Sequence, residues 1–165
     1  MFIYLLRHAV AVDRRDEQQP NDDRPLTKDG IEKMKKAAQG MKRLLADPID
    51  VVLTSPLVRA RDTARIAAEA LGCEDRITVC TELAPGTPFE TLREALTNYQ
   101  RADKLMLVGH SPDLNFAASG FLGSASSIVE MKKGSVCCIE IASLAGRMEG
   151  RMHWLLQPKQ LRQLA

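Results

Sequence analysis

Short apolar runs alternate with longer amphipathic stretches along this chain, and that alternation limits the folds open to it. Phe2–Leu6, Val51–Thr54, Ile77–Leu83 and Leu105–Val108 read as strands. Helical stretches fall between and after them. Thr27 is the expected N-cap of a helix that starts at Leu26-Thr27 and runs to about Ala46, where Asp47-Pro48 stops it. Ser55-Pro56 is expected to open a second helix, with Ser55 as N-cap, and Gly72 to follow its last residue, Leu71. Pro88–Tyr99 and Ser111–Leu122 read as two more. Val136–Ile141 and Arg151–Leu156 read as closing strands joined through a turn at Ala145-Gly146. Strands alternating with helices predict an α/β fold: a three-layer α/β/α sandwich with a mostly parallel central sheet and an antiparallel strand near the C-terminus. No repeat, low-complexity tract or linker interrupts the 165 residues, so residues 1–165 are expected to form a single domain.

Composition narrows the function classes. A formal net charge of +2 is too small to argue for nucleic acid, and Lys33, Lys35 and Lys36 are spaced as on a solvated helix. No apolar run approaches the ~20 residues of a membrane span, and the N-terminus has no basic segment of the kind that opens a signal peptide. The cysteines, Cys73, Cys80, Cys137 and Cys138, form no C-x-x-C pair, and adjacent Cys137 and Cys138 would face opposite sides of a strand. Zinc is therefore not expected, and no motif calls for a cofactor. Buried thiols point to a reducing cytoplasm. A soluble monomer is the expectation.

Three strand ends carry side chains that packing does not explain. In open α/β sheets ligands bind beyond the carboxyl ends of the strands. One such end delivers Arg7-His8, a second Thr54-Ser55-Pro56 with Arg59 one turn on, and a third His110 followed by "SPDL". At ~100° per residue, Leu57, Ala60, Thr63, Ala64, Ile66, Ala67, Ala68, Ala70 and Leu71 share one arc of the second helix, and Arg59 falls inside it, between Ile66 and Ala70. Arg61 and Arg65 fall on the solvent side. An inward guanidinium needs an anionic partner, which could be a structural carboxylate or a ligand. Two arginines, two histidines and helix N-termini at one sheet edge suit a phosphate group. Histidine adds a nucleophile. The third histidine, His153, lies in a late strand and reads as structural. The segment from Val12 to Pro25 reads as an acidic loop, and 123–134 as a long Ser-containing connection.

The segments "LLRHA", "TSPLVRARDTA", "TELAPG" and "LVGHSPDL" resemble the histidine phosphatase superfamily, named for an Arg-His-Gly signature. "RPLTKDG" and "HWLLQPKQL" resemble its short SixA-type branch of phosphohistidine phosphatases. The resemblance implies that His8 attacks phosphorus and becomes phosphohistidine, while Arg7, Arg59 and His110 hold the phosphoryl oxygens. Arg24 would be a further phosphate contact, or a loop arginine paired with Asp22 or Asp23. Glu82 aligns with the general acid of many members, with Asp13, Asp16 and Glu17 as other carboxylates in reach. No metal is required. The implied substrate is phosphohistidine on a protein, a phosphotransfer domain or phosphocarrier. The alternatives are a small-molecule phosphomonoesterase and a phosphate-binding module without turnover. The chain departs from the signature at Ala9, where glycine would permit positive φ or close backbone approach.

Overall fold

The computed structural model describes residues 1–13, 24–45 and 47–165. Asp16, Glu17, Asp22, Asp23 and Ala46, which figure in the sequence reading, lie outside them. The elements in chain order are β1 (Phe2–Arg7), α1 (Lys28–Leu44), β2 (Val51–Thr54), α2 (Val58–Leu71), β3 (Ile77–Val79), α3 (Phe89–Leu96), β4 (Lys104–Gly109), α4 (Asp113–Phe121), β5 (Val136–Glu140), β6 (Arg151–Leu156) and α5 (Pro158–Gln163). Six strands form one sheet in the order β3-β2-β4-β1-β5-β6. β1, β2, β3 and β4 are parallel, and β5 runs antiparallel to both β1 and β6. The expected class and the antiparallel strand are both observed.

Alternation along the strands divides the core in two. Tyr4, Leu6, Met106, Val108, Val136 and Cys138 face a layer made by α1, α2 and α5. Ile3, Leu5, Leu105, Leu107, Cys137 and Ile139 face α3 and α4. Cys137 and Cys138 do fall on opposite faces, and all four thiols are free and buried. α2 presents Ala60, Ala64, Ala67 and Ala68 to the sheet, so its backbone can lie close to β2 and β4.

Four local expectations need correction. Ser55 does not cap α2; Leu57 holds that position and the helix starts at Val58. Ser55 still follows the sheet through its N–H to Val108 O (2.9 Å), and its Oγ accepts from Leu57 N (3.3 Å). β3 ends at Val79 rather than Leu83, because Thr81–Leu83 tighten into a 3₁₀ turn. Pro88–Tyr99 divides into α3 and a 3₁₀ turn at Thr97–Tyr99, and Pro88 precedes the helix. α5 was not expected: its six residues are too few to show a period, and its capping box uses Gln157 and Gln160. α5 packs on α1, where a Cβ at Gly40 would overlap the Leu161 carbonyl.

Candidate active site

Parallel register places the chemistry. Arg7 pairs with Gly109 and Thr54 with Val108, so the carboxyl ends of β1, β4 and β2 finish side by side. The residues that follow them, His8, His110 and Ser55, are therefore neighbours by construction. His8 N–H donates to Gly109 O (3.0 Å), which keeps the chain in sheet register one residue past the strand. The His8 and His110 rings lie 5.1 Å apart between centroids and are 6% and 3% exposed.

His8 is held by its own backbone. Its Nδ1 lies 2.7 Å from Ala9 O. A carbonyl only accepts, so Nδ1 carries the proton and the lone pair sits on Nε2. Ala9 N–H donates to Thr63 Oγ1 (3.0 Å), and that hydroxyl donates to Arg59 O (2.7 Å). One threonine thus ties the turn after β1 to the first turn of α2. No residue other than glycine has positive φ among the described residues, and Ala9 packs in the core at 4% exposure. Alanine is therefore accommodated in ordinary backbone where the signature has glycine.

His110 Nε2 lies 2.8 Å from Ser55 Oγ, which joins the ends of β4 and β2. Its Nδ1 is buried and has no hydrogen-bond partner among the described residues. Arg7 Nη1 donates to Met131 O (2.6 Å), and Gly134 N–H donates to Arg7 O and His8 O (3.0 and 3.1 Å). These bonds fasten the 123–134 connection to the strand end. Arg59 is 3% exposed, as its place on the helix wheel requires. Arg24, half-buried, donates from Nη1 to Val12 O (3.3 Å).

These groups surround a cavity of about 410 Å³. Arg7, Arg24, Arg59 and Lys133 bring four cations to it, with both histidines between them. Asp113 is the sole carboxylate in its lining among the described residues. Glu82 is elsewhere. Its carboxylate accepts from Thr81 Oγ1 (3.0 Å) and Cys80 Sγ (3.3 Å) and does not line the cavity. Hydrogen bonds from its own backbone N–H, the Cys80 thiol and the Thr81 hydroxyl hold it below the usual carboxylate range. Asp13 is exposed. His153 pairs with Glu140 (2.9 Å) and meets the edge of Phe2, away from the cavity.

The model for the histidine phosphatase superfamily (branch 1) matches residues 3–84. The chain belongs to that superfamily. It is accordingly a phosphatase, of the hydrolase class. An uncharacterized protein of Picosynechococcus sp. is 34% identical, with 98% of this chain and 99% of that one covered. The protein histidine phosphatase SixA, solved with tungstate, shares the fold with a TM-score of 0.83 at 21% identity, over 98% of this chain and 99% of that one. A mutant phosphoserine phosphatase of Entamoeba histolytica, solved with phosphoserine, superposes with a TM-score of 0.69 at 14% identity, over 97% and 98% of the two chains. Among the described residues, no helix of this phosphatase is long and apolar enough to cross a membrane.

Burial sets the charge state of the two histidines in the phosphatase's cavity. Desolvation pushes His8 down to about 4, helped by Arg59, Arg7 and Lys133, although its bond to Ala9 O works the other way. Desolvation, with Arg59, His8, Arg24 and Arg7, pushes His110 down to about 3. Both rings are neutral at pH 7. Because the folded values lie below the ordinary imidazole value, the unfolded chain takes up protons first as pH falls. Stability is full above about pH 6.5 and declines toward pH 4. Between pH 7 and pH 5 each such ring is expected to cost about 2 kcal/mol. Melting curves should show this loss in the native protein and a shallower one in His110→Asn. A melting temperature that is flat over that range in the native protein would refute it.

Sequence reasoning missed Lys133, Thr63 and Asp113, and placed Ser55 at a strand end without giving it a partner. Thr63 had a visible signal, a lone hydroxyl inside an otherwise apolar helical arc. Asp113 stood in "SPDL" but was read only as part of a helix start. Lys133 reaches the cavity through a connection whose path depends on contacts more than a hundred residues apart, such as Arg7 to Met131 (separation 124).

Proposed function

We propose that this phosphatase removes phosphate from phosphohistidine on a protein, through a covalent intermediate on His8. The observation that carries this reading is His8 itself, a neutral ring whose Nδ1–H is committed to Ala9 O at the wall of a four-cation cavity. Nε2 is then free to attack phosphorus without first losing a proton. Arg7, Arg24 and Arg59 would grip the phosphoryl oxygens, the guanidinium forks matching them in pairs. His110 would donate from Nδ1 while its Nε2 is held by the Ser55 hydroxyl. No step in this scheme uses a metal.

Two features support a nitrogen-linked substrate over an alkyl ester. Departing imidazole is a good leaving group and needs little acid assistance. Glu82, the acid that the resemblance offers, is outside the cavity lining and is held as a carboxylate. The likeness to a protein histidine phosphatase agrees with this reading. We further infer that residues 1–165 act as one catalytic unit, monomeric and cytoplasmic, the four free buried thiols suiting a reducing compartment. The test is a comparison of kcat/KM on a histidine-phosphorylated carrier protein, nitrophenyl phosphate and sugar phosphates. The carrier is expected to be preferred by at least about tenfold, a difference of ~1.4 kcal/mol in transition-state binding. If a sugar phosphate is preferred by orders of magnitude, the protein is a small-molecule phosphomonoesterase.

A further inference from the structure

The covalent scheme leaves one proton without a destination. When water attacks phosphohistidine, a P–O bond forms, the P–Nε2 bond breaks and its electron pair returns to Nε2. His8 already carries its proton on Nδ1 through the bond to Ala9 O, so it leaves as neutral imidazole and takes none. Unless that proton stays on a phosphoryl oxygen, the attacking water must pass it to a base in the cavity. Arg7, Arg24, Arg59 and Lys133 are cations and have no lone pair to receive it. His110 Nε2 is engaged with Ser55, and the surrounding cations oppose any charge on that ring.

Asp113 has the right chemistry and place. It is the first residue of α4, three positions after His110, and it lines the same cavity as His8. Gly86 N–H donates to its Oδ1 (3.1 Å), which fixes the carboxyl group. That bond uses one oxygen and leaves Oδ2 to accept. We propose that Asp113 is the base that takes the proton from the water hydrolysing phospho-His8. The proton then leaves to solvent through the open side of the cavity. This assignment rests on the covalent reading above and goes beyond it, since neither the signature residues nor Glu82 supplies such a base.

Asp113→Asn is the informative change. The amide oxygen can still accept from Gly86 N–H, so the local fold keeps its anchor, but the proton acceptor is gone. The substrate is nitrophenyl phosphate, whose leaving group needs no acid, followed by rapid quench. Native protein should form phosphoenzyme and discharge it quickly. Asp113→Asn should form it at the native rate, discharge it about 100-fold more slowly and accumulate it. A purely structural role would slow formation and discharge together and lower the melting temperature. Either that pattern or native discharge in Asp113→Asn overturns the assignment. Accumulation in Glu82→Gln alone would transfer the role to Glu82. Turnover by the native protein with no trapped phosphoenzyme, even at the shortest quench and with an acid-free workup, would remove the covalent reading itself. The two failures are therefore distinguishable.

Discussion

His8→Ala is expected to abolish covalent labelling by phosphate and to lower turnover by about 10⁴-fold or more. The reasoning starts from the tautomer. The Ala9 carbonyl holds Nδ1–H at 2.7 Å, so the sole lone pair of the ring is on Nε2. Desolvation and three nearby cations keep the ring neutral far below pH 7. A nucleophile prepared in this way has no substitute in the cavity. His110 is neutral too, but its Nε2 is held by Ser55 at 2.8 Å. The label should be stable in alkali and lost in acid, as a phosphorus–nitrogen bond is. His8→Ala should still bind phosphate, because the arginines remain. A residual labelled species in His8→Ala, with the same acid lability, would shift the nucleophile to His110 and break the scheme.

The parts of this site that were legible are those set by local period or by strand direction. Arg59 could be placed inside the protein because a helix repeats every 3.6 residues, and its arc is otherwise alanine, leucine, isoleucine and threonine. It is 3% exposed. Arg7, His8 and His110 could be grouped because parallel strands bring their carboxyl ends to one edge, and the register of β1 with β4 does this residue by residue. The rest depends on contacts between distant segments. Lys133 reaches the cavity because Arg7 and His8 capture the backbone at Met131 and Gly134. Asp113 becomes notable only when Gly86, 27 residues away in sequence, binds it in the cavity lining. β3 was read too long because the apolar residues Cys80 and Leu83 continue the strand-like composition. They are buried at the start and end of a 3₁₀ turn instead, Cys80 as its N-cap and Leu83 as its last residue, which composition does not distinguish from a strand. α5 was missed because one buried residue, Leu161, is all it contributes to the core.

Arg59→Ala is expected to lower kcat/KM by about 10²–10³-fold and to remove most of the stabilisation that phosphate-like anions confer. Arg59 is tied to the turn after β1 through Thr63. Its carbonyl accepts from Thr63 Oγ1 at 2.7 Å, and the same hydroxyl accepts from Ala9 N–H at 3.0 Å. The first turn of α2 is thereby fixed to the residue after His8, and the Arg59 and His8 side chains line the same cavity. It is also a leading charge acting on both histidines, lowering His8 and His110. Removing it should have two opposite consequences. Transition-state charge loses a preorganised fork, which slows phosphoryl transfer. Both imidazoles are relieved of a neighbouring cation, so they should protonate at higher pH, which NMR of the ring protons would follow, and the acid-side loss of stability should still set in near pH 6.5 but be smaller and end at a higher pH. Arg59→Lys separates the two effects. It keeps the positive charge near the rings but loses the bidentate geometry, so ring titration should stay close to native while turnover remains low. If phosphate or tungstate raises the melting temperature of Arg59→Ala as much as that of the native protein, Arg59 does not hold the phosphoryl group. Its inward position would then be a matter of packing, and the cavity's anion affinity would rest on Arg7 and Arg24.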